Sequence, residues 1–356
     1  MASRTRSGKG LNKDENSARE KTHDARPVNS SGLPALPVEL LLEIISHFLT
    51  VAIPKFQSGV YHAGYLDRPN VLQALSRVCR SLRSVFLPYT WQRIEVCASA
   101  RMTCQTWVHR NIKIPWERDL AYELIRQLET VTIRNPALAE HVKIVNVLIT
   151  EFSYQTLMPE LARCLALFPN LHTIQILGNT TLDIHVENVF EGMQFPSVTT
   201  VVVPAHARQI LAACPNAQHV TVSAYGMMNL GVFRTLQKHC RHLKTLHGFT
   251  GVNYDTFMNG KFLEILCETF PEIRNLGLDI GNITLTRNVV TQLARFRHLT
   301  DIEINISTRR NFLLPDRVLK IIEASKSVLR KGPGLGGAPR FIKLVFLDGT
   351  KRIKIV

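Results

Sequence analysis

Apolar residues recur at spacings of three and four in two stretches near the start of the chain. The first stretch carries them on one predicted helical face: Leu40, Leu41, Ile44, Ile45 and Phe48. The second stretch carries a similar stripe: Leu72, Leu75, Val78, Cys79 and Leu82. A period of 3.6 residues places each set on one side of a helix. The pattern therefore predicts two short amphipathic helices, the first beginning near Pro37, which suits an opening turn.

From residue 117 onward, short strands alternate with helical segments. One phrase recurs, made of an apolar residue, two free positions, an apolar residue, one free position and a third apolar residue. Its copies start at Val142, Leu171, Val198, Ala217, Leu243, Ile273, Leu299 and Phe341, mostly 19 to 30 residues apart. Helices are predicted at 117–128, 154–168, 205–213, 230–239, 255–270, 286–296 and 316–329. One strand and one helix per repeat is typical of a leucine-rich-repeat-like solenoid.

A doubly wound α/β domain is the alternative for such an alternation. The recurrence of the phrase itself favours the solenoid, because a doubly wound sheet does not require it. The N-terminal residues 1–32 are polar and contain no aromatic side chain. Such a segment buries too little apolar surface to fold, so we expect a disordered basic tail.

The helical stretches together carry a family resemblance. Its elements are Leu36-Pro37-x-Glu39-Leu40, then Ile44-Ile45, then Leu75-x-x-Val78-Cys79-Arg80-x-Leu82-Arg83, then Pro88 and Trp91. This order resembles an F-box, and the whole chain resembles fungal-type F-box proteins with a divergent leucine-rich-repeat-like C-terminal region. Residues 50–70 separate the two helices by more than the compact pattern of the family, and their Pro and Gly residues predict an inserted loop.

The resemblance implies an α/β fold class and three regions. These are the tail at 1–32, an F-box-like helical module at 33–96 with the loop at 50–70, and a leucine-rich-repeat-like strand–helix solenoid at 97–356. The resemblance also implies that the module docks onto the Skp-family adaptor of an SCF-type cullin ubiquitin ligase. By the family pattern the docking residues are Leu36, Pro37, Leu40, Ile44, Ile45, Leu75, Val78, Cys79 and Leu82.

The other half of the implied function is recognition of a protein substrate by the solenoid. Alternation along each strand sends the phrase residues inward and the intervening residues to the concave face. The substrate-binding candidates on that face are Gln175, His219, Thr221, His247, Phe249, Asp279, Asp301 and Glu303. This predicted face is polar and carries no Lys or Arg, which favours a protein or peptide ligand.

The net charge of +15 and a pI near 9.7 raise a further possibility, a nucleic-acid-binding protein. The cations fall mainly on the tail, the helices and the last stretch, away from the predicted concave face, which argues against it. A third hypothesis is a repeat scaffold without a ligase role, whose F-box-like helices only cap the solenoid.

Catalytic, metal and cofactor chemistry has no positive signal in the sequence. His239-Cys240-x-His242 does not match a zinc pattern, and the glycine-rich segment 332–337 lacks the Lys-Ser/Thr of a phosphate loop. We therefore expect no enzyme activity, no cofactor and no metal.

The chain also carries no signal of secretion or of a membrane span. Seven cysteines without a C-x-x-C pair fit a reduced intracellular protein. No apolar window reaches the length of a membrane span, and the N-terminus has no signal-peptide core. The expected location is cytoplasmic or nuclear.

Overall fold

The structure is a computed structural model that describes most of the chain in segments. The described residues are 31–48, 67–96, 116–150, 152–178, 189–222, 230–249, 261–279, 292–306, 315–331, 340–346 and 349–355. The predicted tail, apart from its last two residues, and most of the predicted inserted loop lie outside them.

Three helices form the N-terminal module: α1 (Val38–Ser46), α2 (Asp67–Val78) and α3 (Arg80–Thr90). The first matches its prediction. The second predicted helix is wrong in one respect, because it is two helices separated at Cys79, whose backbone is extended at φ −155° and ψ 172°. A further correction concerns residues 67–70, which were placed in the inserted loop but form the first turn of α2, where Pro69 is tolerated.

Ten strands form one sheet, and each strand pairs with the next in the sequence. The strands are β1 (Arg93–Val96), β2 (Ile144–Ile149), β3 (Thr173–Gly178), β4 (Thr200–Val203), β5 (His219–Val222), β6 (Thr245–Phe249), β7 (Asn275–Asp279), β8 (Asp301–Ile306), β9 (Arg340–Phe346) and β10 (Gly349–Ile355). The first nine are parallel, and β10 returns antiparallel along β9.

Every copy of the recurring phrase forms a strand, from β2 to β9, as the apolar pattern predicts. Strand β10 was not predicted. A doubly wound sheet requires a reversal of strand order, and the order of the described strands does not reverse. The chain is therefore α/β, with a sheet built by sequential addition of parallel strands.

The helices that alternate with the strands follow the predicted positions closely. They are α4 (Trp116–Glu129), α5 (Tyr154–Leu165), α6 (Arg208–Ala212), α7 (Leu230–His239), α8 (Lys261–Thr269) and α9 (Pro315–Lys331). The predicted helix 154–168 ends at Leu165, and the predicted helix 205–213 opens with a 3-10 turn, Ala205–Ala207. Residues 255–260 and 286–291 of two further predicted helices lie outside the described residues, and the described part of 286–296 contains the 3-10 turn Leu293–Arg295.

The main core lies between the sheet and these helices. The phrase residues at its centre, Val145, Ile174, Val201, Val220, Leu246, Leu276 and Ile302, are fully buried and belong to one cluster. Because each described strand pairs only with its neighbours in sequence, this core is a continuous layer along the sheet.

The helical module has a separate core, formed by Leu41, Ile45, Leu72, Leu82 and Phe86. Arg68 ties α1 to α2, since its Nη1 donates hydrogen bonds to the carbonyls of Ile45 and Phe48 at 2.7 and 3.2 Å. Leu87 and Trp91 at the end of α3 pack against the main core. The module is thus a small folded unit joined to the sheet through the end of its last helix.

Gln127 of α4 covers the edge of the first strand. Its Oε1 accepts a hydrogen bond from the Glu95 backbone N–H at 3.1 Å, and its Nε2 donates to the Glu95 carbonyl at 3.2 Å. These two bonds replace the ladder that a further strand would provide. Within the described ranges, no helix combines the length and apolar character that crossing a membrane requires.

Candidate functional site

Strand register places polar residues in two rows across the face of the sheet opposite the main core. One row contains Glu95, Asn146, Gln175, Val202, Thr221 and His247, and continues through Gly277 to Glu303 and Lys343. The other contains Arg93, Ile144, Thr173, Thr200, His219, Thr245, Asn275, Asp301 and Phe341. In a parallel sheet with aligned register, equivalent positions stack into such rows.

The middle of this face forms a groove of about 480 Å³. Its walls come from six consecutive strands and are formed by Thr200, Val202, His219, Thr221, Thr245, His247, Asn275, Asp301, Glu303 and Lys343. We refer to it as the sheet groove. Nine of these ten side chains are polar or charged, so the groove suits a ligand that both donates and accepts hydrogen bonds.

Five of the eight residues predicted for substrate binding line the sheet groove: His219, Thr221, His247, Asp301 and Glu303. Gln175 lies on the same face but is 2% exposed and outside the groove. The side chains of Phe249 and Asp279 lie outside the described part of the chain.

The regular alternation from which Phe249 was predicted to face the groove does not hold at this point of β6. A bulge between Leu246 and Phe249 pairs Phe249 with Leu278, so the simple alternation of β6 is interrupted. Gly248 at the bulge has φ +89°, and a Cβ atom there would collide with the carbonyl of Val222. Only glycine fits this close approach.

His247 and Glu303 form the buried centre of the sheet groove. Nδ1 of His247 lies 3.4 Å from Oε1 of Glu303, although their strands, β6 and β8, are not adjacent. Between them lies Gly277, where a Cβ atom would come within 2.8 Å of Cγ of His247. The absence of a side chain at Gly277 gives the imidazole room to cross β7 and reach the carboxylate.

Lys343 engages the other oxygen of Glu303. Its Nζ donates to Oε2 of Glu303 at 2.7 Å. Burial alone would raise the pKa of Glu303, but the hydrogen bond and charge of His247, followed by those of Lys343, lower it to about 2. Glu303 is therefore an ionised carboxylate with both oxygens engaged by side chains of the groove.

The presence of Lys343 overturns the expectation that this face carries no Lys or Arg. The sequence analysis followed the polar positions only as far as β8, whereas β9 continues the row and brings Lys343 opposite Glu303. The recurring phrase beginning at Phe341 places Lys343 on this face, but as its third residue, whereas Glu303 is the fifth residue of its own phrase. Only the observed register of β9 brings Lys343 opposite Glu303.

The second row contributes the more accessible groups. Nδ1 of His219 and Oγ1 of Thr245 are 2.8 Å apart. Asp301 is half-buried, and its Oδ2 accepts a hydrogen bond from Oγ1 of Thr300 at 2.7 Å. With its amide nitrogen turned toward the acceptors, Asn275 also donates to Oδ2 of Asp301 at 3.1 Å. These two donors orient the Asp301 carboxylate.

At the other end of the face, Glu95 accepts a hydrogen bond from Nδ2 of Asn146 at 2.9 Å. Burial raises the pKa of Glu95 to about 7, and the bond from Asn146 only partly opposes this. The sequence analysis did not single out Glu95, because its burial depends on the packing around β1.

The helical module presents the second candidate surface. Among the predicted docking residues, Leu36, Pro37, Leu40, Ile44 and Val78 are exposed, with Leu40 at 50% and Val78 at 65%. Leu33 and Val38 extend this apolar set. We call these seven residues the apolar helical face. They are exposed although the module has a buried core of its own.

The remaining four predicted docking residues have different positions. Ile45 and Leu82 are each 1% exposed and belong to the core of the module. The prediction that these two residues contact a partner directly is therefore wrong. Leu75 and Cys79 are half-buried and pack against that core. The break at Cys79 explains why Val78 leaves the predicted stripe, because α2 ends there and α3 starts in a new direction.

The thiols of the described region are buried or half-buried, and none of them forms a disulfide bond. Burial raises the pKa of Cys164 to about 11 and that of Cys240 to about 12, which keeps both protonated. Within the described segments, no group of three His, Cys, Asp or Glu side chains is placed to hold a metal ion.

Neither a scan against models of known protein families nor a search of curated proteins finds a match to this chain. The functional interpretation therefore depends on the sheet groove and the apolar helical face.

Proposed function

We propose that the chain is the substrate-recognition adaptor of an SCF-type cullin ubiquitin ligase. In this proposal the helical module docks onto a Skp-family adaptor, and the strands and helices form a leucine-rich-repeat-like solenoid that binds a protein substrate. The chain itself supplies no catalytic group, since ubiquitin transfer belongs to other subunits of the ligase. Such an adaptor would act in the cytoplasm or the nucleus.

The observation that carries the proposal is the exposure of the apolar helical face. Leu36, Leu40, Ile44 and Val78 remain accessible although the module has its own core and is joined to a folded sheet. Several large apolar residues exposed on a small unit favour a protein-binding surface. Burial on a partner would gain about 25 cal/mol per Å², before the costs of association.

The rival hypothesis, a scaffold whose helices only cap the solenoid, requires the apolar face to be covered by the sheet. Contact with the main core is instead made by Leu87 and Trp91 at the end of α3. The residues of the apolar helical face therefore remain available, which supports docking over capping.

The sequential order of the parallel strands supports the solenoid part of the proposal. In solenoids each repeat adds one unit beside the previous one and contacts only its neighbours, and the described strands are arranged in this way. The sheet groove then corresponds to the concave surface where such proteins hold a ligand.

Leu40→Asp in the full chain tests the docking surface. Because Leu40 is exposed, the substitution is expected to leave the unfolding midpoint unchanged and to weaken binding to a purified Skp-family adaptor at least tenfold, measured by calorimetry. The matched control is Ile133→Asp, because Ile133 is 64% exposed in the π-helical turn Thr130–Arg134 that follows α4, outside the apolar helical face. Equal binding by wild type and Leu40→Asp would contradict the proposal.

A further inference from the structure

A row of polar and basic residues follows the edge where the parallel strands begin. The residues directly before β2 to β7 are linked by the backbone, because the carbonyl of each accepts a hydrogen bond from the N–H of the next at 2.8–3.0 Å. Each precedes a buried core residue by two positions, so alternation directs it away from the sheet groove. We call this row the entry edge, and its members are Lys143, His172, Thr199, Gln218, Lys244 and Arg274.

The charged side chains of the entry edge are cationic. Lys143, His172 and Arg274 are exposed, and Lys244 is half-buried. Partial burial, followed by the charge of Lys143, lowers the pKa of His172, so a positive field acts between neighbouring strands. The Lys244 ammonium donates to a neutral partner, Oε1 of Gln218, at 2.9 Å. Across the described residues, no carboxylate forms an ion pair with Lys143, Lys244 or Arg274.

The segments that lead into the strands add charges of both signs. Arg241 and Arg297 are exposed just before β6 and β8, and Glu140 and Glu272 are exposed just before β2 and β7. Neither carboxylate is ion-paired with another part of the described chain. The two guanidinium groups offset the two carboxylates, so the entry edge with these segments keeps a positive charge.

The support of the entry edge is rigid and its length is defined. Nδ2 of Asn170 donates to the Glu140 carbonyl at 2.7 Å, and Nδ2 of Asn216 donates to the Pro196 carbonyl at 2.8 Å, which fixes the turns beside the row. Five strand spacings of about 4.8 Å separate β2 from β7, a distance of about 24 Å. A nucleic-acid duplex advances about 3.4 Å per base pair, so about seven base pairs span the row.

The chemistry of the edge distinguishes between anionic polymers. An acidic peptide must satisfy its backbone groups when it leaves water, but every backbone N–H and carbonyl of the row is already bonded within the sheet. Single-stranded nucleic acids are held by aromatic side chains on which bases stack, and the row contains no Phe, Tyr or Trp. A duplex backbone needs only cations and neutral donors for its phosphates, and Thr199 and Gln218 supply neutral donors between the cations.

We propose that the entry edge binds the phosphate backbone of a nucleic-acid duplex without reading its sequence. This is a further function that does not depend on the proposed ligase role. The lack of cations on the predicted concave face argued against nucleic-acid binding, and the entry edge is a separate surface. Binding of this kind has a Kd of about 1–100 µM at physiological salt.

Fluorescence anisotropy of the full chain with a labelled duplex of 16 base pairs tests the proposal. One arm uses DNA and the other RNA, between 50 and 200 mM salt. For at least one duplex we expect binding in the stated range, with log K falling against log salt at a slope of about −3 to −5, since three to five cations would contact phosphates. Failure of both duplexes to bind at 50 mM salt would overturn the proposal.

Lys143→Gln combined with Arg274→Gln assigns the site. Both side chains are exposed, so the unfolding midpoint should stay unchanged. Duplex binding should weaken at least tenfold at 100 mM salt, and the magnitude of the salt slope should fall by about 2, because each lost contact removes about 0.9.

The matched control removes the same charge from the helical module. Arg77→Gln combined with Arg83→Gln changes two exposed cations far from the entry edge in sequence, and this variant should bind the duplex like wild type. Equal losses for the two variants would mean that net charge alone attracts the duplex. That result, or unchanged binding by the Lys143 and Arg274 variant, would reject the entry edge as the site.

A polyglutamate competitor separates a nucleic acid from an acidic protein segment. At an equal concentration of charges, a 16-residue polyglutamate should displace the duplex at least tenfold less effectively than unlabelled duplex does. Equal displacement would show that the entry edge recognises acidic protein segments as well as it does phosphates, and the proposed duplex would be wrong.

Discussion

Gly277 determines whether His247 and Glu303 can meet. Their strands are separated by β7, and the imidazole crosses that strand in the space that a side chain at position 277 would fill. Gly248 acts at the same place through the backbone, because the bulge it permits places His247 at the end of the regular pairing of β6. The chemistry of the groove floor therefore depends on two residues without side chains.

Gly277→Ala should destabilise the protein by about 1–2 kcal/mol, because the new methyl group displaces the buried His247 ring from Glu303. In a strand without this contact, Gly→Ala would usually stabilise by about 0.4–1 kcal/mol through the unfolded state. Urea unfolding of the full chain measures the difference.

The matched control for this prediction is Gly277→Ala in a His247→Ala background. With the ring absent, the same methyl group should be neutral or stabilising, which gives a coupling energy of about 1–3 kcal/mol in the double-mutant cycle. Identical effects in the two backgrounds would show that the His247 contact is unimportant.

At the scale of elements, the two ends of the sheet are closed in different ways. The first edge is covered by the Gln127 side chain, which bonds both backbone groups of Glu95. The last edge is β10, whose sequence carries Lys351, Arg352 and Lys354. Charged residues on an edge strand oppose pairing with another chain. Both features oppose the pairing of a further chain with an edge of the sheet.

Gln127→Ala should cost about 1–3 kcal/mol, since it leaves two backbone groups of β1 without their side-chain partner. Hydrogen exchange of the Glu95 amide should accelerate by tenfold or more, while exchange in β5 should stay unchanged. Thr156→Ala is a suitable control, because it removes a hydrogen bond to a backbone carbonyl, that of Ser153, on an exposed helix end. Unchanged exchange at Glu95 would argue against the edge-capping role.

Helix α3 links the two candidate surfaces. Its start, after the break at Cys79, belongs to the module, and its end packs Leu87 and Trp91 onto the main core before β1 begins. The module is therefore held at one end of the sheet, where its apolar helical face is separate from the sheet groove. A partner on the module and a substrate in the groove would not compete for the same residues.

The pH dependence of unfolding belongs to the whole molecule, because every titrating group contributes to one free energy. Burial raises the pKa of Glu95 from 4.5 to about 7. The folded chain therefore holds a proton that the unfolded chain releases, and this stabilisation is complete below pH 4.5 and is lost as pH rises through 7. Glu303 behaves oppositely, since its pKa of about 2 gives stabilisation above pH 4.5 that is lost as pH falls through 2.

Glu95→Gln should therefore stabilise the protein at pH 8 by up to about 3 kcal/mol and have little effect at pH 4.5. The amide keeps an oxygen that can accept the hydrogen bond from Asn146. Urea unfolding at the two pH values checks this. The control is Glu129→Gln, which removes one partner of an exposed ion pair with Arg134. A constant difference between wild type and Glu95→Gln at both pH values would rule out the raised pKa.

Much of the fold follows from local sequence alone. The recurring phrase predicted strands β2 to β9, and the spacing of three and four predicted α1, because both periods depend on residues only a few positions apart. The same alternation predicted the groove residues His219, Thr221, His247, Asp301 and Glu303. Strand β10 was missed, since its Lys-rich sequence lacks the apolar phrase.

Other features were decided only by the tertiary structure. The break at Cys79 exposes Val78, the bulge at Gly248 interrupts β6, and the register of β8 and β9 brings Lys343 to Glu303 across 40 residues of sequence. The apolar helical face and the module core share one sequence pattern, and only packing separates Leu40 from Ile45. The physical reason is that local periodicity assigns a residue to a face, whereas its neighbours on that face come from distant strands whose register and packing no short window of sequence contains.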